Sequence, residues 1–252
     1  MLWEFFIIKA KVRNALKDVF KGSDSVLDVG CGGNPYYHKG IKAKISCTDL
    51  RQTKKTHFVG DAMRLPVKKE KFDGMININS LYYYNEPSMA IEAFANAIKK
   101  NGKLVLMVPF MYPIHDAPDD KYRFTKYGII ELLKNNFDIK SIKTIGGIFN
   151  LPAVFFHSLM KGIPLMAPKH VRPIIKLFSI IIFYPFYILA QLISILDFID
   201  VSGRWATYFF VVAVKFKRAG TMFYRFFLTI LIFSGSQAIF GIWFAPIFST
   251  IW

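Results

Sequence analysis

The chain has 252 residues, a formal net charge of +16, 53% hydrophobic and 17% aromatic residues, and two cysteines. That length suits one large domain, or one domain with an appendage, and two cysteines exclude a disulfide framework and fit a reducing compartment. The apolar content predicts surplus apolar surface; the charge predicts an anionic partner, a membrane surface before a nucleic acid, since zinc-finger spacing, a basic-aromatic RNA-binding module and a helix-turn-helix signal are all missing.

Residues 1–21 read as a basic amphipathic helix, with Phe5, Ile8, Val12 and Leu16 at helical spacing. They lack the basic lead and small-residue cleavage site of a secretory signal. From residue 22 to 146 short apolar runs alternate with helical ones, the pattern of a parallel α/β sheet. The expected strands are Ser25–Val29, Ala43–Cys47, His57–Val59, Gly74–Ile78, Lys103–Val108 and Ile139–Ile145, with helices over Pro87–Lys100 and, after a Thr125 cap, Lys126–Asn136.

After Gly146 the chain becomes strongly apolar. Residues 145–252 carry nine Lys or Arg against only Asp197 and Asp200, and Leu177–Leu196 holds no charge over a length that could cross a bilayer. Basic residues flank it on both sides, which places both ends in the cytosol. Pro185 near its middle predicts a bend into a shallow or re-entrant hairpin, so residues 147–205 are expected to be a membrane-interfacial helical insertion; a lid or a dimer interface is the competing reading. Residues 206–218 contain a last core strand, Tyr208–Val214, and the charge-free run Phe226–Trp252 makes 219–252 an apolar tail able to enter or cross a membrane.

The segment Val26-Leu-Asp28-Val-Gly30-Cys31-Gly32-Gly33-Asn34-Pro35 is a glycine-rich turn after an apolar strand, which lets backbone approach a nucleotide-like ligand closely. The dinucleotide fingerprint is a closer rival but has glycine where Pro35 stands; a P-loop requires Gly-Lys-Ser/Thr and is excluded.

Asp28-Val-Gly30-Cys31-Gly32-Gly33 resembles motif I of class I S-adenosylmethionine (SAM) dependent methyltransferases of the type 11-like kind, and further motifs follow in register. The resemblance implies a Rossmann-like sheet with helices on both faces and SAM as cofactor. It assigns SAM contacts to Asp28, Gly30, Cys31, Gly32 and Asn34, and to Asp49 and Leu50 in Cys47-Thr-Asp49-Leu50. Asp49 would meet the ribose hydroxyls, since a carboxylate accepts two hydrogen bonds from a vicinal diol. It further assigns Asp61, Ala62 and Met63 near the adenine, and Asn79 and Ser80 along the methionine moiety; relatives often carry a Glu-His pair in that last loop.

Pro109 to Thr125, after the fifth strand, resembles a Pro…His…Pro-Asp…Tyr-Arg-Phe-Thr block of methyltransferases from bacterial surface-glycan and lipid-linked pathways. His115 is its sole histidine and the expected general base, with Asp116, Asp119 or Asp120 to orient it; Arg123 could hold an anionic group of the acceptor. The competing reading has His115 and Arg123 pin the loop. The histidines show no metal-ligand spacing, so no metal is expected. The expected function is methyl transfer from SAM to a small-molecule or lipid-linked acceptor at the cytosolic membrane face, with nucleic acid an unlikely partner. A quinone precursor as acceptor, or a non-catalytic SAM-binding scaffold, are the alternatives.

Overall fold

The computed structural model describes residues 6–200 and 202–216. Phe5 and the tail expected over 219–252 lie outside the described residues. Seven strands form one sheet: β1 (Ser25–Val29), β2 (Lys44–Asp49), β3 (Phe58–Val59), β4 (Phe72–Ile78), β5 (Ile98–Pro109), β6 (Phe137–Ile145) and β7 (Tyr208–Lys215). Their spatial order is β3-β2-β1-β4-β5-β7-β6, parallel except for β7, which is antiparallel to both β5 and β6. The fold is Rossmann-like α/β.

Helix α1 (Phe6–Val19) turns Ile8, Val12 and Leu16 onto one face, and that face is buried. It packs with Phe20, Val26, Ile76 and Tyr208 in one of two cores, one on each side of the sheet. The opposite core holds α2 (Pro87–Ala97) and α3 (Lys126–Leu133), whose Ala90, Ile91, Phe94, Ile129 and Leu133 bury against Leu27, Met75, Leu104 and Phe209. Thr125 caps α3 by accepting from the Gly128 amide.

Both helices stop earlier than their sequence pattern suggests. Ile98 pairs beside Phe72 with its side chain buried, so at the end of α2 sheet pairing takes residues that local propensity would have left helical, while α3 gives way to a turn at 134–136 before β6.

The apolar insertion is built from two helices, α4 (Leu151–Met166) and α5 (Arg172–Ile193). This corrects the hairpin turn expected at Pro185: α5 continues as one helix through that residue, and the chain reverses at 167–171 instead. Arg172 stabilises the reversal by donating from Nε to the Ala167 carbonyl (2.9 Å) and from Nη2 to that of Leu165 (3.3 Å). The stretches Ile148–Met166 and Arg172–Ile199 are each long and apolar enough to cross a membrane.

Candidate cofactor cleft and acceptor loop

The chain passes from β1 outward through β2 to β3, then returns to the other side of β1 with β4. This reversal opens a crevice at the carboxyl ends of the strands, the usual ligand position in an open α/β sheet. The loops after β1, β2, β3 and β4 all reach it, and they carry Gly30–Asn34, Asp49–Leu50, Asp61–Met63 and Asn79–Ser80. Residues up to fifty positions apart in sequence therefore share one rim.

Gly30 and Gly32 have positive φ, +74° and +61°, the left-handed region that favours glycine. A Cβ on Gly30 would lie 2.3 Å from Ser80 Oγ, whereas one on Gly32 or Gly33 would meet nothing within 4 Å. Gly30 is thus the closely packed side of the turn, and Gly32 and Gly33 form its open side. Asp49 is held in place by two backbone amides: Gly32 N donates to Oδ2 (2.9 Å) and Arg51 N to Oδ1 (3.1 Å). Each oxygen keeps a lone pair for a diol. Leu50 beside it exposes 73% of its surface, an apolar shelf at the crevice. Asp61 accepts from Met63 N (2.9 Å) and thereby caps the short turn at Ala62. Cys31 is buried and Asn34 exposed, at opposite sides of the turn.

Asp28 is fully buried beneath the turn. Its Oδ2 accepts from Tyr37 OH (3.0 Å) and pairs with His38 Nε2 (2.6 Å), while Oδ1 has no partner. Burial pushes its carboxyl pKa up, opposed by His38 and Tyr37. Asn79 adopts φ +52°, and its buried Oδ1 is likewise unpartnered. Two orphaned acceptors and a glycine cradle suit a ligand with a cationic ammonium and a nucleoside, which is the polar outline of SAM. Ser80 is placed differently. It is buried, accepts from Asn77 Nδ2 (2.7 Å), contacts Tyr84 OH (2.9 Å) and donates to the Val29 carbonyl (3.3 Å), bracing the turn from below.

Asp28, His38 and Cys47 each present a ligand-type atom, all within 4.8 Å of one another. Histidine spacing could not reveal this cluster, because β1, β2 and the turn between them each supply one member. Contact with the Cys31 thiol draws the Cys47 thiol down from its ordinary value. In this structure the carboxylate's shared oxygen is committed to His38 and Tyr37, so the group supports the turn.

The acceptor loop follows β5. Arg123 uses all five of its N–H donors within it: Nε to the Tyr112 carbonyl (3.0 Å), Nη1 to the Tyr122 carbonyl (2.9 Å) and Asp120 Oδ1, and Nη2 to the Pro113 carbonyl (3.0 Å) and Asp120 Oδ2 (2.7 Å). With no donor left for an acceptor's anion, Arg123 positions the loop. The same guanidinium holds the enclosed Asp120 carboxyl below the usual carboxylate range.

His115 Nδ1 faces Asp120 Oδ2 (3.1 Å) and the Pro113 carbonyl (3.2 Å), groups that only accept, so that nitrogen carries a hydrogen; Nε2 in turn meets Tyr82 OH as a donor, because the Tyr82 hydrogen goes to Tyr83. Nε2 lies 3.1 Å from Tyr82 OH and 3.5 Å from Asp116 Oδ2; Tyr82 OH donates to Tyr83 OH (2.9 Å), which donates to Asp116. Asp120, not Asp116, therefore orients the ring. Tyr82 and Tyr83 were not foreseen; burial raises the Tyr82 phenol to about 12 and raises Tyr83 too. Their only sequence signal is the run Tyr82-Tyr83-Tyr84, which has no periodicity.

Residues 27–106 match the methyltransferase domain family. Among solved structures, the chain is similar to the [4+2]-cyclase SpnF (18% identity, TM-score 0.53, covering 82% of this chain and 81% of that one). A Bacillus halodurans protein assigned as a methyltransferase aligns at 17% identity and TM-score 0.52, over 83% of this chain and 99% of its own. A Galdieria sulphuraria protein assigned as a sarcosine dimethylglycine methyltransferase aligns at 10% and 0.55, over 82% and 85%. At these identities the likeness establishes the fold. No curated protein sequence matches the chain. The methyltransferase-domain match spans residues 27–106, the strands and loops that form the cleft, and supports S-adenosylmethionine as the cofactor.

Proposed function

We propose that this protein transfers a methyl group from SAM to a hydroxyl-bearing, lipid-linked acceptor of glycan type at the cytosolic face of a membrane. The observation that supports it most is the pre-set Asp49 carboxylate facing the open side of the Gly32–Gly33 turn, with the acceptor loop next to the same crevice. Asp49 would hold the ribose, Asp61 and Leu50 the adenine side, and Asp28 and Asn79 the methionine end. SAM supplies an electrophilic methyl group when bound.

The protein's own part is largely positioning, because methyl transfer demands alignment of donor and acceptor. The Arg123–Asp120 staple fixes the loop, and Asp120 fixes the orientation of the His115 ring. A hydroxyl acceptor must lose its proton; His115 Nε2 can take it once its own hydrogen has passed to Tyr82 as Tyr82 passes one to Tyr83 and Tyr83 one to the Asp116 carboxylate, the direction in which this chain of hydrogen bonds already runs. A lipid-linked acceptor is favoured by what adjoins this loop. Tyr112 stands 5.1 Å from the His115 ring between centroids and 3.4 Å, hydroxyl to Nδ1, from His157 of α4, so the apolar hairpin abuts the acceptor loop.

The test is incubation with methyl-labelled SAM and membrane lipid extract, followed by an untargeted search for labelled product. Label in a lipid-linked sugar supports the reading. Label in an isoprenoid quinone precursor would replace the acceptor. SAM binding without labelled product would favour a non-catalytic scaffold. His115→Ala with full turnover would remove the base assignment.

A further inference from the structure

Helix α5 is amphipathic in the reverse of the usual sense. Its buried residues are Ser179, Tyr187, Ala190 and Gln191, followed by Ser194, while Leu177, Phe178, Ile181, Phe186, Leu189 and Leu192 point outward. Leu177 and Phe178 each expose 58% of their surface, whereas Gln191 exposes none. A water-facing helix buries its aliphatic stripe and exposes its polar one. The opposite arrangement leaves bulky hydrocarbon in contact with an apolar solvent and packs small and polar groups inside, as in lipid-facing helices.

The charges around this face have one sign. Residues 139–196 contain no Asp or Glu, and Lys169 and Lys176 stand exposed at and just beyond the reversal between the helices. Of the two acids that follow, Asp197 has a buried Oδ1, and Asp200 is tied back to the start of the hairpin, its Oδ2 accepting from Ile148 N (3.1 Å). An apolar face beside unopposed lysines complements an anionic lipid leaflet.

The inner face of the hairpin decides how deep it can go. Tyr187 and Ala190 of α5, with Ala153 and Val154 of α4, belong to the same core as Ile145, Met107, Tyr208 and Phe210 of the sheet. Asn150, at the start of α4, donates to Thr207 Oγ1 (2.9 Å) beside β7. Neither helix can cross a bilayer without tearing this core open or drawing the sheet into hydrocarbon.

We propose that α4 and α5 form an in-plane dock: the hairpin lies flat on one anionic leaflet, sinks its outer face among the acyl chains and spans nothing. This deepens the membrane-face reading above, and it stands on the hairpin alone, independent of the acceptor's identity. It also accounts for the contact between α4 and the acceptor loop, since an in-plane hairpin holds His115 near headgroup level.

The experiment uses the full chain with an environment-sensitive fluorophore at Leu177→Cys, Ile181→Cys or Leu192→Cys, and at Glu92→Cys on α2 as control; the native cysteines are buried. Vesicles of phosphatidylcholine with or without phosphatidylglycerol carry nitroxide quenchers near the headgroup or near the chain terminus. Docking in the plane predicts that all three hairpin probes are quenched best by the shallow nitroxide and to similar extents, with Glu92→Cys unaffected. It also predicts that Lys169→Glu/Lys176→Glu weakens hairpin quenching in phosphatidylglycerol vesicles about tenfold or more at limiting lipid. A depth that grades along α5, with the deep nitroxide strongest mid-helix, would show a span and overturn the proposal. Probes shielded from both nitroxides, by a lid or by a second copy of the chain, would overturn it as well. Because each probe reports its own position, residues 217–252 cannot mimic the result. SAM calorimetry on the same samples separates failure of the dock from failure of the methyltransferase reading.

Discussion

The cofactor cleft and the α4–α5 hairpin follow opposite burial rules within one compact unit. In the cleft-forming half, aliphatic side chains fill the two faces of the sheet and the charged groups line a rim open to water. In the hairpin, serine, glutamine and tyrosine lie inside while leucine, isoleucine and phenylalanine face out. The hydrophobic effect acts on both; under the in-plane dock proposed above, what differs is the medium each outer surface meets. A water-facing half must hide its hydrocarbon, and a lipid-facing half has no reason to.

The comparison breaks most readily at Gly30. Alanine there must accept a left-handed φ and a Cβ 2.3 Å from Ser80 Oγ, which should cost about 2–5 kcal/mol and lower the melting temperature by roughly 10 °C. Gly33→Ala meets nothing and should leave thermal stability intact while weakening SAM binding in calorimetry. Equal melting curves for the two would refute the division of the turn into a packed side and an open side.

A pair of isoleucines sharpens the contrast directly. Ile91→Ala, in the core beneath α2, should destabilise by about 2–5 kcal/mol in chemical denaturation, whereas Ile181→Ser on the outer face of α5 should change stability in mild detergent by less than about 0.5 kcal/mol. A large loss at Ile181 would mean that the hairpin's outer face is part of a protein core after all.

At the rim, Asp49→Ala removes a charged acceptor of two ligand hydroxyls, worth about 2–3 kcal/mol, so SAM affinity by calorimetry should fall about 30- to 150-fold. Unchanged affinity would show that the ribose is held elsewhere.

The smallest effect concerns the base of the sheet. Lys99, with help from Ser25, holds the Asp73 carboxyl down at about 2. A depressed carboxylate stabilises the fold above its ordinary titration range near pH 4, and the contribution is lost as pH falls towards 2. Asp73→Asn should therefore cost about 1–2 kcal/mol at pH 7 and flatten acid unfolding across that window. An unaltered acid limb would show that other groups dominate it.

Much of this was legible before folding. Apolar spacing located all seven strands, because a buried parallel strand has few alternatives once glycine and polar breaks bound it. The acidic residues of the rim could be named from the motif resemblance, since each ends a strand at a characteristic interval. The element ends were less legible: Ile98 left its expected helix for strand pairing that no local window contains. For Arg123 the sequence leaves an anion hook and a loop pin both open, and only the folded loop, with five acceptors around the guanidinium, favours the pin.

By itself the sequence determined the kind of sheet, the glycine turn with its carboxylates and the surplus of hydrocarbon in the second half. These are properties of residue order and composition, which periodicity and short-range chemistry express directly. Only the tertiary structure decided which groups meet: Asp120 and not Asp116 behind His115, Tyr82 and Tyr83 beyond it, and polar residues inside α5 with its aliphatics outside. A run that is apolar nearly all round has no intrinsic inner face. Packing against the sheet chose one, and in doing so set the hairpin's hydrocarbon outward.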